Sequence, residues 1–447
     1  MQAIRLRALR VSLVLVVIGA LAILGCQPRP SAPTGASLDT AAQRYTLLVL
    51  QMGKHDGDYV DAYYGPPEWK AQADGDSLSL PAIIATADSL RASLGESAPK
   101  GSDEMITLRH RFLRRQLEAL VARARMMNGD TLAFDAESRA LYDVVAPPVD
   151  EAVLQRAVAR LDALLPGKGT IGERYEKFRQ SFIIPPARVD TVFQAAIAEA
   201  RKRTRAHMAL PDSETFSVEY VHDQPWSGYN WYAGHYHSRI QVNLDQPILA
   251  DRALDLACHE GYPGHHVYNM LLEQALVNER GWKEFTVYPL HSPMSLIAEG
   301  TAVVAPEVAF PSEERAKFER EVLFPLAGLD TSLYARWAEV RTAMDSTGGA
   351  TLESTRRFLE HRMTREEAIA WNMRYAFATR SRAEQSVRFG ERYRSYTVNY
   401  VIGKRMVRAW LAANGGDEAH AAKRWELYQQ LLASPKLPGD LETSGSR

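Results

Sequence analysis

The sequence predicts a mostly helical α+β protein, and three observations carry that expectation. Apolar residues recur at helical spacing in long stretches on both sides of the chain's centre. Period-two alternation is confined to about thirty residues in the middle, enough for only a small sheet. With 447 residues, 46% of them hydrophobic, the chain can bury one large core or two. Its formal net charge of −1 lacks the basic excess of a nucleic-acid binder, so no nucleic-acid partner is expected.

The N-terminus stands apart. Arg5, Arg7 and Arg10 precede an apolar run from Val11 to Leu24, the order of a secretory signal peptide over residues 1–25. The run is short for a membrane-spanning helix. Ile23-Leu24-Gly25-Cys26 resembles a bacterial lipobox, which implies a lipid-acylated Cys26 as first mature residue and a bilayer as partner. Gln27 after that cysteine implies the periplasmic face of the outer membrane. With Cys26 acylated, Cys258 has no partner for a disulfide, so the exported chain is held by its core alone. Residues 26–37, rich in Pro, Ser, Gly and Ala, read as a tether.

From 38 to 185 the pattern is helical and carries no recognisable chemistry, which fits a scaffold or lid. Helices are expected over Asp39 to Met52, Ala82 to Leu94, Thr107 to Met127, Val149 to Leu164 and Ile171 to Phe182, with an aromatic loop from Asp56 to Pro67. Pro185-Pro186 marks a boundary, and 186–447 forms the expected catalytic region. A helix from Val189 to Met208 precedes the alternating stretches Phe216 to Tyr220 and Arg239 to Leu244, read as a small antiparallel sheet. Arg239, Gln241 and Asn243 share one face of its last strand, and His235 and His237 alternate just before it. Helices then resume: Ala250 to Gly261, His265 to Glu279, and one opened by the N-cap Ser292 with Pro293. A capping box at Thr364 to Glu367 starts another, and Glu391 to Ala413 and Glu418 to Leu432 close the chain.

Eight of the twelve histidines lie between His207 and His291, and three sit in Cys258-His259-Glu260-Gly261-Tyr262-Pro263-Gly264-His265-His266. A His-Glu pair with a further histidine suggests zinc and an adjacent general base. The spacing is unusual. On one regular helix, His265 would lie about 9 Å beyond His259 and roughly 120° around the axis, too far for a shared ion. His266 would regain the face at about 10.5 Å, also too far. The helix must therefore break, and Pro263 flanked by glycines supplies the break. A third ligand has to come from elsewhere. Glu299, beside the small residues Gly300 and Ala302, is the best placed.

H-E-x-x-P-G-H-H followed by an E-G-x-A helix resembles the bacterial family called domain of unknown function 885, which is similar to the gluzincin metallopeptidases. Tyr229 to Tyr232, Ser238 to Asn243 and the Tyr393 to Lys404 segment fit that resemblance, which spans roughly Val189 to Trp410. It implies a helical metallopeptidase-like fold, with Zn2+ held by His259, His265 and Glu299, and Glu260 as general base. The family often has Trp after E-G, where this chain has Thr301. The choice between His265 and His266 stays open to sequence, with His265 preferred. Donors for a tetrahedral oxyanion are Tyr396 and Tyr400 on a late helix, or His235 and His237. Arg392 or Arg394 is placed to hold a substrate carboxylate. In gluzincin-like proteins an edge strand binds the substrate backbone, a role for Arg239, Gln241 and Asn243. The function implied is a carboxypeptidase- or dipeptidase-like zinc hydrolase of the cell envelope. The competing readings are a non-catalytic binding or scaffold lipoprotein, and a zinc amidase acting on peptidoglycan fragments or other small amides.

Overall fold

The computed structural model describes residues 35–224 and 226–442. The expected signal peptide, Cys26 and most of the expected tether lie outside them. No helix among the described residues is long and apolar enough to cross a membrane.

Helices dominate, with a few short strands. Helix α1 (Gly35–Met52) and strand β1 (Val60–Tyr63) lead into α2 (Pro67–Gly75), α3 (Leu80–Leu94) and α4 (Glu104–Met127). Then come α5 (Phe134–Tyr142), α6 (Glu151–Leu164) and α7 (Ile171–Arg179). Local chemistry sets several starts. The Asp103 carboxylate accepts from the Ile106 amide at 2.7 Å to cap α4, and Thr170 with Glu173 forms a capping box on α7. The expected aromatic loop contains β1, which pairs antiparallel with a later strand.

Helix α8 (Val189–His207) precedes strands β2 (Thr215–Val221), β3 (Gly228–Gly234) and β4 (His237–Asn243). Strand β4 lies in the middle, parallel to β2 and antiparallel to β3. The sheet is thus mixed rather than antiparallel. Alternation reports which face is buried and carries no information on strand direction. Ser238, Ile240 and Val242 face inward, while Arg239 faces solvent.

Helix α9 (Ala250–Leu256) runs into a wider turn over Ala257–Gly261, and α10 (His265–Leu272) leaves it. Strand β5 (Val287–Pro289) pairs with β1 and opens onto α11 (Pro293–Ala309). The remaining helices are α12 (Ser312–Phe318), α13 (Phe324–Ala327), α14 (Tyr334–Asp345), α15 (Ala350–Leu359), α16 (Arg365–Tyr375), α17 (Arg380–Tyr393), α18 (Val398–Ala413) and α19 (Ala421–Leu432). The capping box at Thr364 and Glu367 starts α16.

The main core is built from α8 to α11, α18 and α19, through buried Phe193, Leu254, Val267, Leu296, Val407 and Tyr428. Phe134, Tyr142 and Phe182 from the earlier chain enter the same core. A second core joins α1, α3 and α4 through Tyr45, Ile83 and Leu117, and reaches Val287 on β5. Helices α11 and α18 cross where glycine meets glycine. A Cβ on Gly300 would stand 2.8 Å from Gly403 Cα, so neither position tolerates a side chain.

One expected helix, Glu391 to Ala413, is broken. The chain leaves α17 at Tyr393, Arg394 takes φ 50°, and a tight turn over Arg394–Thr397 leads into α18. Glu137 on α5 explains the break. Its carboxylate accepts from Ser395 N at 3.1 Å, Ser395 Oγ at 2.6 Å and Arg394 Nε at 2.7 Å. A buried acid with three donors outcompetes local helix propensity.

Candidate metal centre

The His-rich stretch folds back on itself. After α9 the turn widens, with Tyr262 N donating to Ala257 O at 3.1 Å and Gly264 N to Cys258 O at 2.9 Å. The Tyr262–Pro263 peptide is cis. A new helix then starts at His265. The return is so tight that a Cβ on Gly264 would stand 2.0 Å from His259 O and 2.4 Å from Cys258 O. Tyr428 Oη, 3.3 Å from the Pro263 carbonyl and 2.9 Å from that of Thr301, pins the turn to α11.

The fold-back brings His259 and His265 together, with ring centroids 4.7 Å apart and planes at 88°. Glu299 on α11 completes the set, its Oε2 lying 3.5 Å from His259 Nε2 and 3.7 Å from His265 Nε2. One ligand atom from each residue lies within 4.8 Å of the others. A tetrahedral zinc with bonds of about 2.0–2.1 Å spaces its ligand atoms about 3.4 Å apart, so the set fits with little movement. Glu299 fits in a second way. Tyr396 Oη donates to its Oε1 at 3.0 Å, while Oε2 is buried with no hydrogen-bond partner. One oxygen is oriented and the other is left for an ion.

The charges agree with a cation site. Burial pushes the Glu299 carboxyl up, but His259 and His265 beside it hold it well below the carboxylate range. Burial lowers the His265 imidazole, yet Glu299, Glu260 and Asp61 raise it to about 9. Three carboxylates thus face the two imidazoles. Glu260 is 4% exposed, with Oε1 4.0 Å from His259 Nε2, and its own carbonyl accepts from Asn230 Nδ2 at 2.7 Å.

His266 points the other way. It is fully buried, with Nδ1 2.8 Å from Ser238 Oγ and Nε2 3.2 Å from Glu214 Oε2. Glu214 also binds Arg201, Arg205 and the Tyr262 hydroxyl. Burial pushes its carboxyl up, but the hydrogen bonds from His266, Tyr262, Arg205 and Arg201 bring it down to about 2. This network anchors the back of the turn. Asp255 is bound to Arg315 at 2.8 Å and does not orient His259.

Other residues singled out in the sequence scatter. Tyr400 lines a cleft of about 1480 Å³ together with His259 and Glu260. Burial and the neighbouring Glu299 keep the hydroxyls of both Tyr396 and Tyr400 protonated, so both are hydrogen-bond donors. Of the two, Tyr396 is committed to Glu299. Arg394 is tied to Glu137 and Arg392 to Asp58, at 2.8 Å, so neither is free for a substrate carboxylate. His235 sits in the turn before β4 at φ 53° and is exposed, as is His237. Because β4 is the middle strand, both its edges are already paired and it cannot add a substrate strand. Arg239 and Gln241 make cross-strand contacts with Trp231 and Glu219, and the Asn243 amide donates to Gln224 and Trp226 carbonyls.

Sequence reasoning missed Asp61. It sits on β1, accepts from the Tyr229 hydroxyl, and burial beside Glu299 and Glu260 pushes its carboxyl up to about 7 although His265 opposes the rise. The available signal was a single acid alternating with apolar and aromatic residues in Tyr59 to Tyr64.

Fold and site together define a mostly helical protein with a convergent His-His-Glu set fit for one metal ion. No family model and no curated protein matches the chain. Among solved structures it is similar to a candidate lipoprotein from Colwellia psychrerythraea, at 15% identity and TM-score 0.47, over 80% of this chain and 66% of that one. Another, a candidate lipoprotein of unknown function from Shewanella oneidensis, has 12% identity and TM-score 0.40 over 82% and 76%. A protein named BsuCP has 11% identity and TM-score 0.44 over 89% of each chain. Likeness at this level says nothing about the chemistry of the site.

Proposed function

We propose that the protein is a zinc-dependent peptidase of the cell envelope, of the domain of unknown function 885 kind, lipid-anchored through Cys26. The observation that carries the reading is the meeting of His259, His265 and Glu299 beside the buried carboxylate of Glu260, with His259 and Glu260 lining a large cleft. His259, His265 and Glu299 would hold the ion, which supplies Lewis acidity to a water and to the scissile carbonyl. Glu260, next to His259 in the chain and outside the ligand set, takes the proton from water and returns it to the leaving amine. Tyr400, protonated and facing the cleft, donates to the oxyanion. Tyr396 holds Glu299 in place.

The test is a peptide-library digest with wild type beside Glu260→Gln. Cleavage by wild type and a drop of about a hundredfold or more in the variant, with metal content unchanged, is the expected result. Equal cleavage by both would remove Glu260 as the base. No cleavage by either would favour a binding lipoprotein.

A further inference from the structure

The cleft carries two arginines that the metal centre does not use. Arg179, at the end of α7, and Arg382, on α17, line the same cleft as His259 and Glu260. Arg179 is 5% exposed, and only its Nη1 is engaged by a side chain, with Glu176 at 2.9 Å, while its buried Nε has no partner. Arg382 has no ion pair with any described residue, and burial together with the adjacent Arg179 charge pulls its guanidinium down. Glu176 is the acid shared by this pair. Asp251, which also lines the cleft, belongs to the network of Asp255, Arg315 and Arg341 instead. Arg424, a further buried arginine of the cleft with unpartnered nitrogens, faces Glu418, Glu307 and Asp417. The Arg179–Arg382 pair therefore sets two guanidiniums against the single carboxylate of Glu176 and keeps free donors.

Its distance from the metal centre follows from the fold. Ile183, just past Arg179, bridges to Leu249, and Ile184 N donates to Ile248 O at 2.9 Å. The arginine end is therefore fixed to the start of α9. From Asp251 to His259 the chain is continuously helical, about 12 Å at 1.5 Å per residue. An extended peptide covers that span in three or four residues at about 3.3 Å each.

We propose that Arg179 and Arg382 form an anion pole, and that the substrate is a short peptide bearing a carboxylate three or four residues from the bond cut. The inference rests on the reading of this cleft as the peptidase channel.

The first test is independent of cleavage. Glutarate and its neutral isostere glutaramide are titrated calorimetrically into the full mature chain. Wild type is expected to prefer glutarate at least about tenfold, with the preference lost in the half-exposed Arg382→Gln and partly kept in Arg382→Lys. No preference in wild type, or the same preference in Arg382→Gln, would overturn the pole. The second test compares kcat/KM over a ladder of alanine peptides ending in carboxylate or carboxamide. The acid is expected to win most when it lies three or four residues past the cut. Peptides cut without any acid preference would sink the pole and leave the peptidase reading intact. Glutarate binding that follows Arg382, with no peptide cut, would support the pole and sink the peptidase reading.

Discussion

Replacing Gly264 with alanine tests the fold-back at the point where it is tightest. The added Cβ would stand 2.0 Å from His259 O and 2.4 Å from Cys258 O, whereas ordinary contact begins at 3.4 Å. The turn must open by roughly 1.4 Å, and both contacts are rigid backbone rather than the end of a side chain. Overpacking of this kind costs about 1–3 kcal/mol of stability. The larger effect falls on the metal, because His265 is the next residue and ligand positions tolerate only about 0.2 Å of error. Zinc affinity is expected to fall at least tenfold to a hundredfold, the range seen when even an outer partner of a ligand is lost. Competition with a chromophoric chelator measures that affinity, and circular dichroism shows whether the helices persist. A folded Gly264→Ala protein with zinc affinity within about twofold of wild type would refute the argument that this turn places His265.

Two further outcomes follow from neighbouring contacts. Tyr396→Phe removes the hydroxyl that fixes Glu299 Oε1, so zinc affinity is expected to drop about tenfold to a hundredfold by calorimetry with the melting curve little changed. Glu214→Gln removes the carboxylate shared by His266, Tyr262, Arg201 and Arg205. With the arginines partly in solvent, the loss is expected to be about 2–3 kcal/mol in urea unfolding at neutral pH. The sign with pH is fixed by the depressed carboxyl. Despite burial, its hydrogen bonds bring it from 4.5 to about 2, so its contribution is complete above the higher value and disappears as pH falls toward the lower. Wild type and variant are expected to converge in acid, and a gap that persists there would contradict the assignment.

The helices legible in the sequence were those with an apolar stripe, such as α4 and α7, or with a capping signal, such as α16. The short α5 was not, and neither was the break at Arg394, which depends on Glu137 meeting Ser395 across more than 250 residues. The requirement for a break between His259 and His265 could be argued from helix geometry alone, since spacing and bond length are local facts. The side on which His266 falls could not, because Glu214 and Ser238 that hold it come from other elements. Strand direction was likewise invisible, and with it the central place of β4 that removes Arg239, Gln241 and Asn243 from a backbone-binding role. Asp61 was hidden for the same reason. Nothing near it in sequence announces that β1 pairs with β5 and carries it to His265, Glu299 and Glu260.

The central claim is that His259, His265 and Glu299 hold one ion between them. Zinc per chain, measured by elemental analysis on purified wild type and His265→Ala with matched helical content, tests it most directly. The account predicts about one zinc per chain in wild type and almost none in the variant. A folded His265→Ala protein that keeps its full complement of zinc would contradict it.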